Sequence, residues 1–134
     1  MGFSDQAEVL DYLGGVFRLG LDDDELGPKL AAAALVLQFD YTEPDTTVTV
    51  NTATGEIVAG TIDGVEPDAT MTMTAETANK FWQGKVNLAM AMARGLVKVN
   101  GNKTALLKLV PLSKKLYPMY ADRLRADGRD DLVA

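Results

Sequence analysis

The chain has 134 residues, of which 47% are apolar and 24% charged, with a formal net charge of −6. That length suits one domain with its own hydrophobic core, and the composition is that of a globular protein. The absence of both Cys and His excludes disulfides, thiolate catalysis and serine–histidine arrangements, and removes the commonest zinc ligand.

The first element is read as a helix capped by Ser4, with Val9, Leu10, Leu13, Val16 and Phe17 at helical spacing. Gly14 and Gly15 weaken it, by roughly 1 kcal/mol each against Ala. The acidic run Asp22–Glu25 suits the start of a second helix, since carboxylates favour a first turn, and it lacks the alternating ligands of a calcium loop. From Leu35 the period becomes two: Leu35, Leu37, Phe39 and Tyr41 share a face opposite Val36, Gln38 and Asp40. Gln38 is either a polar anchor or a solvent-facing residue. Strands follow at Val48–Asn51, Ile57–Gly60 and Ala69–Thr74, the last with Met71 and Met73 inward. Short connections favour hairpins or a meander.

Thr74 caps a helix that stops at Gly84, and Asn87 caps a second, LAMAMAR, that stops at Gly95. Leu96–Asn100 alternates as a fifth strand. The remainder is helical with interruptions near Pro111 and Pro118, and the tail after Gly128 is expected to be loose. The order of elements predicts an α+β fold with one largely antiparallel sheet covered by helices.

Charge is unevenly distributed. Residues 1–79 hold 15 acids and 2 bases, whereas residues 80–134 hold 4 acids and 11 bases. Mutual neutralisation of the two parts is the plainer reading, and a basic face toward anionic lipid or a partner protein is the sharper one. The acidic total argues against nucleic-acid binding. No apolar run reaches the ~18–20 residues that span a bilayer. The start MGFSDQAEV lacks the basic and apolar regions of a signal peptide, so a cytoplasmic location is expected.

From DATMTMT through FWQGKVNLAMAMARGLVKVNGNKTALLKL, the sequence resembles the sterol carrier protein type 2 family of lipid-binding domains. Gly84–Lys85, the Ala/Met-rich helix and Gly95–Leu96–Val97–Lys98–Val99–Asn100–Gly101 match that family's pattern; FDY…VTVNTATGEIVAG is similar in a more general way. The resemblance covers residues 35–116 as the family core of a single domain, with N-terminal helices over 1–34 and a C-terminal helix and tail over 117–134. It implies a curved five-stranded sheet with helices on one side, enclosing an apolar tunnel. It also implies non-enzymatic binding and transfer of a fatty acid, acyl-CoA or sterol-like lipid, in transient contact with a membrane surface or partner enzyme. An accessory role, presenting a lipophilic intermediate to an enzyme, is the alternative. No catalytic residue, cofactor or metal comes with it.

Met is flexible and Ala leaves room, so Met71, Met73, Phe81, Trp82 and Met90 suit the wall of a lipid cavity. Periodicity alone cannot separate such a wall from a packed core. Given the resemblance, the candidate ligand-binding residues are these five with Phe39, Leu96, Leu106, Leu107, Leu116, Met119 and Tyr120. Leu116, Met119 and Tyr120 are placed at the tunnel mouth, and Met90 is preferred to Met92 as the ligand-facing residue. Lys114, Lys115, Arg123 and Arg125 are read mainly as a solvated face, with a headgroup contact as the alternative.

Overall fold

The computed structural model describes residues 2–134. Asp5, not Ser4, caps the first helix, its carboxylate accepting from Glu8 N–H at 2.9 Å. α1 (Gln6–Val9) passes through a π-helical stretch (Leu10–Gly14) into α2 (Gly15–Asp22). Gly14 is buried there because the helix lies close to the sheet: a Cβ would come 3.1 Å from Ile57 and 3.7 Å from Val48. Asp23 closes α2 and accepts from Glu25 and Leu26 N–H, opening α3 (Leu26–Ala33). The acidic run thus joins two helices.

Five strands follow: β1 (Val36–Thr42), β2 (Thr46–Asn51), β3 (Glu56–Ala59), β4 (Ala69–Thr74) and β5 (Lys98–Gly101). They form one open sheet in the order β3-β2-β1-β4-β5. Three pairings are antiparallel, but β4 runs parallel to β1. This departs from a meander. Residues 60–68 carry the chain past β2 and β1, and Asp68 anchors the crossing. Its N–H donates to Val36 O at 2.8 Å, its carboxylate accepts from Val36 N at 2.8 Å, and its carbonyl accepts from Asn102 N at 2.8 Å.

The period of two decides the faces. Leu37, Phe39 and Tyr41 stand beside Val50, Val48 and Thr46 on one side and Ala69, Met71 and Met73 on the other. This apolar face meets the helices. The opposite face carries Gln38, Asp40, Thr47, Thr70 and Thr72; Gln38 donates to Asp40 at 3.0 Å, so it belongs to the outer surface.

Thr74 caps α4 (Ala75–Phe81) and Asn87 caps α5 (Leu88–Ala93), as expected, their side chains accepting from Thr77 N–H and Met90 N–H. β5 is shorter than the alternation suggested. α6 (Lys103–Ser113) holds Pro111 inside it, and α7 (Leu116–Ala126) follows after a brief break.

The tail is packed, contrary to the expectation of a loose end. Leu132 is buried, and its carbonyl accepts from Asn79 Nδ2 at 2.8 Å and Gln83 Nε2 at 2.9 Å. Arg129 donates to Glu8 at 2.6 Å. Buried apolar area with satisfied carbonyls holds this segment, and its polar sequence conceals the single anchoring leucine.

Candidate lipid-binding cavity

Between the apolar face of the sheet and the helices lies a narrow, partly open cavity with about 60 Å³ of room for the centre of a water-sized sphere. The floor is the sheet: Leu37, Phe39 and Tyr41 from β1, and Met71 and Met73 from β4. Helices α2 and α3 contribute Phe17, Leu26 and Leu30; α4 with its C-cap contributes Ala78, Phe81 and Trp82. Leu88 of α5 and Leu106, Leu109, Val110, Leu112 and Ser113 of α6 complete the wall with Leu116 of α7. Among the described residues no charged side chain lines it.

Aromatic rings run through this wall in sequence. Tyr41 stacks on Phe39 at 5.8 Å, Phe39 meets Phe17 at 5.3 Å, and Phe17 meets Trp82 edge-on at 5.3 Å. Trp82 in turn meets Phe81 edge-on at 5.1 Å. These separations fall in the favourable range for aromatic pairs, so each ring is held by its neighbour as well as by the surrounding core. The aromatics form the stiff part of the lining. Met71 and Met73 form the adaptable part.

Seven candidate residues therefore come together here: Phe39, Met71, Met73, Phe81, Trp82, Leu106 and Leu116. The other five lie elsewhere. Met90 is 53% exposed, because the six residues of α5 turn Leu88 and Ala91 inward and leave Met90 on the far side. Leu96 is 54% exposed and precedes β5, while Val97 just before the strand and Val99 within it are buried. Leu107 is 46% exposed, one position round α6 from the buried Leu106. Met119 packs against the core outside the cavity. Tyr120 is fully buried, and its hydroxyl donates to Asn79 Oδ1 at 2.6 Å, so it joins α7 to α4 and does not edge a mouth.

Several lining residues escaped the sequence reading. Leu37 and Tyr41 carried a usable signal, since both share the phase of Phe39. Phe17, Leu26 and Leu30 did not, because nothing local says that the N-terminal helices face the same space as β4.

Of the four C-terminal cations singled out in the sequence, Lys115 and Arg123 pair with N-terminal acids and Arg125 pairs within its own helix. Arg123 bridges Asp11 at 2.7 Å and lies 4.4 Å over the Tyr12 ring, Lys115 pairs with Glu25, and Arg125 pairs with Asp122. The Arg123 and Lys115 contacts neutralise part of the charge asymmetry. Burial pushes the phenols of Tyr41 and Tyr120 well above the ordinary tyrosine value, so both remain protonated.

A model of the SCP-2 sterol transfer family matches residues 13–114. The chain belongs to that family. A sterol carrier protein 2 from Arabidopsis thaliana is 28% identical over 104 residues, covering 78% of this chain and 72% of that protein. The solution structure of sterol carrier protein domain 2 of Helicoverpa armigera superposes with a TM-score of 0.68 at 21% identity, covering 88% of this chain and 95% of that one. Sterol Carrier Protein-2 from Aedes aegypti, solved in complex with palmitate, gives a TM-score of 0.56 at 15% identity over 83% of this chain and 96% of that one. Membership places the chain among lipid-binding and lipid-transfer domains. No helix among the described residues is long and apolar enough to cross a membrane.

Proposed function

We propose that the protein is a non-enzymatic carrier that encloses the hydrocarbon part of a lipid between the sheet and helices α2–α7 and passes it on. The observation that carries this reading is the uncharged cavity lined by aromatic, Met and Leu side chains. Removing an alkyl chain from water contributes about 0.8 kcal/mol per CH₂, so ten or so buried methylenes suffice for useful affinity without specific contacts. A fatty acid, an acyl chain carried on CoA or a sterol-like molecule all fit that chemistry. The palmitate held by the Aedes relative supports an acyl ligand. A bulky CoA headgroup stays outside, and exchange takes place at a membrane surface or on a partner protein.

Native mass spectrometry of the protein as purified tests the proposal, followed by delipidation and titration with a fluorescent fatty acid. A co-purified lipophile, or saturable one-to-one binding that a non-fluorescent lipid displaces, is the expected result. Empty protein that binds neither fatty acid nor sterol overturns it. A stable complex with an enzyme that survives obstruction of the cavity indicates the accessory role instead.

A further inference from the structure

Residues 77–121 contain eight bases and no acid, so all 19 Asp and Glu residues lie outside them. Two of these bases are neutralised, Lys80 by Glu76 and Lys115 by Glu25. The other six are Lys85, Arg94, Lys98, Lys103, Lys108 and Lys114. All six are exposed, and among the described residues none of them pairs with a carboxylate. Every base elsewhere in the chain does. Unpaired positive charge is therefore confined to one segment of an acidic molecule.

The mouth of the cavity lies in the same segment. Of the lining residues only Phe81, Leu109, Val110 and Leu112 are not fully buried, and three of these belong to α6. That helix has two sides. Leu106, Leu109 and Ser113 line the cavity, while Lys103, Leu107 and Lys114 recur at helical spacing on the outer side, flanked by Lys108. Met90 and Leu96 add two more exposed apolar side chains to the segment. Lys98 stands apart, on the outer face of the sheet opposite Thr72.

We propose that the outer side of α6, with the cavity mouth beside it, docks on an anionic bilayer surface. Lys103, Lys108 and Lys114 meet the charged headgroups, and Leu107 enters the interface between them. This rests on the carrier reading and assigns the face through which exchange takes place. Charge complementarity directs the choice: a negative leaflet attracts this helix and repels the acidic remainder, which turns the mouth toward the lipid. An acidic protein fits less well, because protein interfaces favour Arg and aromatic residues and disfavour Lys. Here lysines alternate with aliphatic side chains, and none of the exposed large apolar residues is aromatic. A departing lipid then passes from an apolar mouth into the bilayer without crossing water.

Co-sedimentation with phosphatidylcholine vesicles, with and without about one third phosphatidylserine, tests the proposal. The wild type should bind the anionic vesicles at least about tenfold more tightly and lose that preference at high salt. Lys108→Gln should weaken the binding about fivefold, whereas Lys29→Gln, which removes the same charge from α3, should leave it unchanged. Because the chain has no Cys, an environment-sensitive fluorophore can be attached through Leu107→Cys or Val65→Cys alone. On anionic vesicles the emission of the first shifts to the blue and that of the second does not. Equal binding to both vesicles, equal effects of the two Gln variants, or equal shifts at both labelled positions overturns the proposal. If the protein ignores both kinds of vesicle, an acidic protein surface takes the bilayer's place. Titration with a fluorescent fatty acid in the absence of vesicles keeps the two readings separate: uptake there preserves the carrier reading whatever the docking result, and its absence removes both.

Discussion

Met71 and Met90 carry the same side chain into opposite surroundings, one on the cavity floor and one 53% exposed on α5. Met71→Trp places extra volume in the cavity and is expected to weaken fluorescent fatty-acid binding at least about tenfold, with up to about 1–3 kcal/mol of overpacking cost to stability. Met90→Trp leaves binding unchanged, and parallel titrations with circular dichroism check both. Asn79 is a different sort of residue. It accepts from Tyr120 and donates to the Leu132 carbonyl, so one amide joins α4, α7 and the tail. Asn79→Ala strands the Tyr120 hydroxyl in the interior and should cost about 2–3 kcal/mol in urea unfolding. Adding Tyr120→Phe should restore part of that loss, since the stranded group is then gone.

Among the elements, β5 depends on one backbone position. Gly101 adopts φ +95° where β5 meets β4, and a Cβ there would collide with the Asp68 carbonyl oxygen and lie 3.1 Å from Ala69 Cα. Gly101→Ala should therefore release β5 and the start of α6, read as faster hydrogen exchange over residues 98–110 than over α1–α3, with a loss of about 2 kcal/mol or more. Strand phases were legible in the sequence because two residues suffice to reveal a period of two: the inward sets of β1 and β4 follow from LQFDY and ATMTMT alone. The helix caps at Thr74 and Asn87 were legible for a similar local reason. What sequence could not supply was neighbourhood. Alternation assigns faces, not partners, so the parallel pairing of β4 with β1 was hidden behind a loop that reads like a hairpin. α5 is less than two turns long, too short for its apolar residues to define a stripe, and Met90 was accordingly turned the wrong way.

For the whole molecule, the opposed charges of the two parts become contacts between the two ends of the chain. Glu8 accepts from Ser4 N–H and from Arg129, and these bonds, in that order of weight, hold its carboxyl below the ordinary glutamate value. A depressed folded value means that the stabilisation is complete above the unfolded value, near 4.5, and is lost as pH falls through the folded one. Denaturant stability should thus decline between about pH 5 and pH 3, and decline less in Glu8→Gln. The difference between the two proteins should be below about 1 kcal/mol, because this pair is partly exposed.

The same pairing brings the two ends of the chain side by side. Gly2 and Phe3 border one groove with Leu132, Val133 and Ala134. A short linker can therefore close the backbone into a ring, and the ring can be reopened at Gly64, in an exposed turn remote from the cavity wall. Such a circular permutant should take up fatty acid with parental affinity, and a large loss of affinity would show that the order of synthesis matters to the fold. The arrangement also lets the domain be inserted as a unit into a loop of another protein, entering and leaving at nearly the same point.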